Sequence, residues 1–185
     1  MASDPVDHRL GDHELLPRVD KLMQDASSRF EDLTHIACVV GPGGFMSLRV
    51  GVALVNTLAD QLQIPSAGIH LSDVYEARVS NEQLATSSYI WLHSTKKQEL
   101  FVRGFGLYAK QWPEATHVQL EDFVQAIKEP LQWVGELIPE HRAAIASVAE
   151  IRESPLQNVT EILPALLQHQ SFKKHILEPW YGRGW

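Results

Sequence analysis

The chain has 185 residues, of which 44% are hydrophobic and 21% charged, the proportions of an ordinary folded protein with room for one domain or two small lobes. The formal net charge of -7 argues against a chain that holds nucleic acid by itself, because phosphate binding draws on clustered Lys and Arg. A single cysteine, Cys38, excludes an internal disulfide framework, no apolar run approaches the length of a membrane span, and Met1-Ala2-Ser3-Asp4-Pro5 does not read as a signal peptide, so the expected location is the cytoplasm with no membrane association.

In chain order, Leu15, Leu16, Val19, Leu22 and Met23 fall at helical spacing on one face, with Asp12 as the expected N-cap and Pro17 in the first turn. His35 to Val40 reads as a short strand bounded by Gly41-Pro42, and a helix is expected from about Phe45 to Gln61, ending before Ile64-Pro65. A short strand at Ala67–Ile69 and a helix capped by Ser72 follow. The second half changes character. Tyr89–Leu92, Leu100–Phe105 and Thr116–Val118 read as successive strands, the first two joined by a turn at Lys96-Lys97-Gln98. A helix from Leu120 to Lys128, a strand at Trp133–Gly135 and a helix from Pro139 to Ile145 come next. A last helix carries Ile162, Leu163, Leu166 and Leu167, with Thr160 as its expected cap and Pro164 in its first turn or at a kink.

Two features bear on function. Gly41-Pro42-Gly43-Gly44 lets a strand turn sharply into a helix; Gly41, Gly43 and Gly44 would serve either as a tight connection or as an anion cradle at the helix start. The pattern is neither GxGxxG nor a P-loop. The helix that follows is apolar on most sides: Leu48, Val52, Val55, Ala59 and Leu62 mark one face, Val50, Leu54 and Thr57 another. Such a helix is buried on most sides, either within its own domain or between its sheet and a partner. No pair among the nine histidines stands at the three- or four-residue spacing of a helical metal site, and no G-x-S-x-G elbow exists, so neither a metal nor a catalytic residue is expected.

The segment Gly41-Pro42-Gly43-Gly44-Phe45-Met46-Ser47-Leu48-Arg49-Val50-Gly51 resembles the GPGSFTGLR[IV]G signature of the TsaB (YeaZ) family. His13-Glu14-Leu15-Leu16-Pro17, Val134-Gly135-Glu136 and Glu178-Pro179-Trp180-Tyr181-Gly182-Arg183 resemble further family segments in the family's order. Gly44, Met46 and Ser47 depart from the signature, Ser94-Thr95-Lys96 stands where the family carries an acidic residue, and the family's opening strands have no counterpart. The resemblance implies an α/β, actin-like (ribonuclease-H-like, ASKHA) two-lobe fold without the first strands of its N-terminal lobe. Residues 1–70 would form that shortened lobe and 71–185 the second lobe, the last helix packing back on the first. It also implies a non-catalytic scaffold without a cofactor, pairing with TsaD as a heterodimer for threonylcarbamoyl modification of the adenosine beside the tRNA anticodon, with TsaE in a larger complex. Alone, the chain would form homodimers and would not itself bind tRNA. The expected partner-facing residues are Leu15, Leu16, Val19, Leu22, Met23, Phe45, Leu48, Arg49, Val52 and Val55. A nucleotide-binding actin-like enzyme, or an interaction module outside tRNA modification, are the alternatives. An opening strand would normally pair with Ile36–Val40; without one, that edge is expected to be covered by Pro5–Gly11, a second copy or a partner.

Overall fold

The computed structural model describes residues 2–6, 11–79, 88–127 and 129–182, arranged as two compact units. One unit comprises Met1–His70 with Leu167–Tyr181; the other comprises Leu71–Leu166 with the chain's last four residues. Lys128 and Arg183 lie outside the described residues, as do residues 7–10 of the segment expected to cover a strand edge. No helix of the described residues is long and apolar enough to cross a membrane.

The second unit is a five-stranded mixed sheet in the order β5-β4-β3-β6-β7. Its central strand β3 (Tyr89–Lys96) forms an antiparallel hairpin with β4 (Glu99–Phe105), which pairs antiparallel with β5 (Thr116–Gln119). On the other side β3 pairs parallel with β6 (Leu131–Glu136), and β6 with β7 (Ile151–Glu153). Three antiparallel strands, a helix, a strand and a helix is the ribonuclease-H-like order expected of an actin-like lobe. The start of β3, Tyr89-Ile90-Trp91-Leu92, is apolar without alternation because a central strand buries both faces. Ile90, Leu92, Leu100, Val102, Leu131 and Trp133 line one face, and Trp112, Phe123 and Ile145 complete its core. Phe123 comes from α4 (Leu120–Ala126) and Ile145 from α5 (Pro139–Ala146). On the opposite face the register sets Tyr89, Trp91 and His93 beside Phe105, Arg103 and Phe101. Helix α3 (Leu71–Arg78) meets that face through ion pairs of Arg103 with Asp73 and Glu76 and a hydrogen bond from the Tyr75 hydroxyl to Glu136 (2.9 Å).

Among the described residues, the first unit has two strands. β1 (Ile36–Gly41) and β2 (Ser66–His70) run parallel, connected by α2 (Phe45–Leu62). Parallel pairing requires such a crossover, and the helix ends where Gln63 turns left-handed ahead of Pro65. The apolar side of α2 meets the sheet: Val52 and Val55 pack with Ile36, Cys38, Val40 and Leu177. Burial among these side chains pushes the Cys38 thiol up to about 11, the state of an inert core thiol. Ahead of this pair lies α1 (Leu15–Asp25), an amphipathic helix with no buried residue.

Several expected details differ. Helix α1 is capped at Glu14 rather than Asp12, because a short turn over Asp12–Glu14 precedes it and the Glu14 carboxylate accepts the Gly11 N–H at 2.6 Å. Ser72 lies inside α3, fully buried, and accepts from Arg103 at 2.7 Å instead of capping. In α6 (Val159–Gln168) the Asn158 side chain, not Thr160, takes the N-terminal amide (Thr160 N to Asn158 Oδ1, 3.0 Å), and Pro164 lies in the second turn. Among the described residues nothing pairs with the outer edge of β1; Asp4 instead bonds Arg18 of α1 at 2.7 Å, so this part of the N-terminal segment lies along the helix.

Candidate functional site: the α1 face, the glycine loop and the strap that closes it

The opening helix carries the plainest signal. Leu16 is 51% exposed, and Leu15, Val19, Leu22 and Met23 are each only half-buried. An apolar stripe that its own fold leaves uncovered is the ordinary mark of an association surface. At the start of α2, Phe45 and Met46 are 51% and 54% exposed, and Arg49 lies over the Phe45 ring at 5.3 Å. An aromatic ring, a methionine and an arginine are side chains enriched in protein interfaces.

Three residues expected on that surface belong elsewhere. Leu48, Val52 and Val55 are 9%, 3% and 7% exposed, with Val52 and Val55 facing the sheet. Their helical spacing correctly marked one face, but it is the face that makes the first unit's own core. A charge at Val52 would therefore disrupt the unit itself rather than an interface.

At Gly41 the glycine loop meets the chain's own returning segment. Gly41 adopts φ +150, and a Cβ placed there would strike the carbonyl of Trp180. The Trp180 N–H donates to Val40 O at 2.8 Å, so the returning segment closes directly over the strand-to-helix turn. Gly41 is needed here for close backbone approach as well as for its dihedral. Gly43 and Gly44 are exposed, and Gly44 caps α2 without a side-chain bond; the first helical bond runs from Leu48 N–H to Gly44 O at 2.9 Å.

Sequence reasoning missed the residues that hold this segment. Ser66 and Lys173 exchange backbone hydrogen bonds at 2.9 and 3.1 Å. The Asn56 side chain donates to Leu177 O and accepts from Leu177 N–H, both at 2.9 Å. Leu177 is buried beside Val52 and Val55, the Trp180 ring meets His70 edge-on at 4.4 Å, and Tyr181 lies 5.2 Å from Phe45. The available signal was Asn56 itself, a polar residue in a helix otherwise apolar on most sides.

A serine–histidine pair in the second unit is structural. His141 is fully buried; its Nδ1 lies 2.9 Å from Ser94 Oγ and its Nε2 3.0 Å from Lys97 O. The carbonyl can only accept, so Nε2 carries a proton, and in the neutral ring Nδ1 accepts from the serine hydroxyl. Ser94 Oγ in turn accepts the Ile138 N–H at 2.9 Å, leaving both side chains engaged in tying the β3–β4 turn to the start of α5.

Comparison with known proteins is consistent with this architecture. A family model described as TsaD: tRNA N6-adenosine threonylcarbamoyltransferase matches residues 8–127. The tRNA threonylcarbamoyladenosine biosynthesis protein TsaB of Bacillus subtilis (strain 168) is 26% identical over 137 residues, which cover 72% of this chain and 59% of the relative. TsaB of Buchnera aphidicola subsp. Acyrthosiphon pisum is 21% identical over 84 residues, 45% of this chain and 38% of the relative. A tRNA N6-adenosine threonylcarbamoyltransferase of Syntrophus aciditrophicus is 31% identical over 97 residues, 51% of this chain and 29% of the relative. The matched region thus spans less than two thirds of each of these curated relatives. Among solved structures, YeaZ from Pseudomonas aeruginosa superposes with a TM-score of 0.63 at 18% identity, covering 94% of this chain and 86% of its own. A further crystal structure, described as a protein with similarity to peptidase YEAZ from Pseudomonas aeruginosa, gives 0.60 at 18%, covering 95% of this chain and 85% of its own. These likenesses carry the actin-like fold.

Proposed function

Since this chain belongs to the TsaD family of tRNA N6-adenosine threonylcarbamoyltransferases and to its TsaB members, we propose that it is a non-catalytic scaffold subunit in tRNA threonylcarbamoyladenosine synthesis. It docks a TsaD-type transferase as a heterodimer, and the transferase modifies the adenosine beside the anticodon. TsaE joins in a larger complex, the chain contributes no tRNA binding of its own, and the assembly works in the cytoplasm. Alone, the same surface makes a symmetric homodimer.

The observation that carries this reading is α1: a helix with a pronounced apolar face and no buried residue. The exposed Phe45 and Met46 add a second apolar spot at the start of α2. The docking residues are then Leu15, Leu16, Val19, Leu22 and Met23 of α1, with Phe45 and Arg49 of α2. Leu48, Val52 and Val55 support the surface from beneath.

Support for a scaffold rather than a nucleotide-handling enzyme comes from the loop. The backbone of Trp180 packs against Gly41 and closes that end of the loop, while Gly43 and Gly44 stay exposed.

The test is titration of the chain with the TsaD-type transferase of the same source, read by calorimetry. A stable one-to-one complex is expected. Leu16→Asp and Phe45→Asp should each weaken it at least about tenfold, as loss of an apolar anchor does. Their thermal midpoints should stay near that of the unmodified chain, because both side chains are exposed. Failure of the unmodified pair to associate while the modification proceeds would overturn the reading.

A further inference from the structure

The segment Lys173–Tyr181 returns to the first unit after the chain has built most of the second, and its contacts run the length of the two-stranded sheet. It is fixed at three places. Ser66 and Lys173 exchange backbone hydrogen bonds at the start of β2, Asn56 holds Leu177 at mid-helix, and Trp180 meets Val40 and Gly41 at the end of β1. The Asn56 contact is the unusual one. A single amide side chain satisfies both backbone groups of one residue, as a neighbouring strand would, across 121 positions of sequence. Beyond it the strap ends in Tyr181, whose ring lies against Phe45 while Arg49 covers Phe45 at 5.3 Å.

We propose that this strap is a latch, with Asn56 its catch, that sets the exposed ring of Phe45 in the geometry a partner protein binds. The proposal rests on the docking reading above and adds the element that regulates that surface. Phe45 is 51% exposed and sits in the first turn of α2, where Gly44 offers no side-chain cap. Tyr181 and Arg49 both lie against the ring, and Tyr181 follows directly on the segment that Leu177 and Trp180 anchor. Release of the latch leaves the apolar residues of the surface unchanged but frees the rotamers of Phe45 and Arg49. Binding must then reorder them, a cost that lowers affinity. Asn56 is thus a positioning residue that touches no partner.

Asn56→Ala removes both hydrogen bonds. Asn56→Asp keeps the acceptor for the Leu177 N–H but sets a carboxylate against the Leu177 carbonyl, and it serves as the milder variant should Asn56→Ala prove unstable. Amide exchange is followed at Leu177 and Trp180, with the central β3 amides as the internal reference, and affinity for the transferase is measured on the same samples. The expected result is exchange at Leu177 and Trp180 faster by at least about tenfold with β3 unchanged, and affinity lower by about three- to tenfold, the scale of lost side-chain ordering. Phe45→Asp is run alongside. If the strap amides exchange faster yet affinity is unchanged while Phe45→Asp loses binding, the latch is refuted and the docking surface stands. If Phe45→Asp also binds like the unmodified chain, Phe45 is no part of the surface and the latch fails; if Leu16→Asp binds normally too, the docking reading fails with it. Unchanged exchange in both Asn56 variants equally overturns the role of Asn56.

Discussion

The two units solve the same packing problem to different degrees. In the second, five strands bury side chains on both faces, and Ile90, Trp91, Leu92, Leu100, Val102, Val134 and Ile145 are fully inaccessible. In the first, two parallel strands support one well-packed helix, β1 keeps an open edge among the described residues, and α1 buries nothing completely. Two strands alone seldom make a stable sheet, so the first unit recruits Leu177 from the far end of the chain to finish its core. A closed core and an open one therefore sit in one molecule. The open one is the unit that carries the exposed apolar residues of α1 and of the start of α2.

The contrast can be broken by mutation. The largest effect is expected from Trp133→Ala in the second unit's core, where a 2%-exposed indole packs against Ile90 and its neighbours. The loss should be about 3–5 kcal/mol in urea unfolding, and a cost below about 1 kcal/mol would show that the second core is not the rigid one. Val52→Asp should follow closely, at about 3 kcal/mol or more, because a carboxylate would be stranded among Ile36, Cys38 and Leu177. Amide exchange should locate that damage in residues 36–70 and 173–181. A Val52→Asp protein with its stability intact but its partner binding lost would return Val52 to the interface.

The smallest effect concerns pH. Burial holds His93 below its ordinary value of 6.5, with the nearby Glu136 carboxylate partly opposing the shift. The unfolded chain then binds a proton at a higher pH than the folded chain does, so stability rises with pH through this interval. The contribution is fully present above about 6.5 and is lost as pH falls from there through the folded value. His93→Gln should flatten that slope on the acid side, and Glu136→Gln should steepen it by removing the opposing charge. Comparing midpoints between pH 7.5 and 5.5 measures both, and an unchanged slope in His93→Gln would assign the acid sensitivity elsewhere.

Much of this molecule was legible in its sequence. The helix at Leu15–Met23, the strand before the glycine loop, the α2 boundaries and the run of strands after Tyr89 all follow from spacing and turn chemistry, which are local properties. The strand Ile151-Arg152-Glu153 was missed because a short charged edge strand lacks the alternation that marks a half-buried one. Ser72 was misread because serine at a helix start is a cap by local rules, while the group it actually serves, Arg103, lies 31 residues away.

The candidate site divides along the same line. By itself the sequence determined that α1 is amphipathic, that α2 is apolar on most sides and that Gly41-Pro42-Gly43-Gly44 turns a strand into a helix. Periodicity reports which residues share a face, but it does not report which face finds a neighbour. Only the tertiary structure decided that Leu48, Val52 and Val55 turn inward while Phe45 and Met46 stay out. It alone brought Asn56 to Leu177 and Trp180 to Gly41, because contacts between residues more than a hundred positions apart depend on the whole chain's path and leave no local trace.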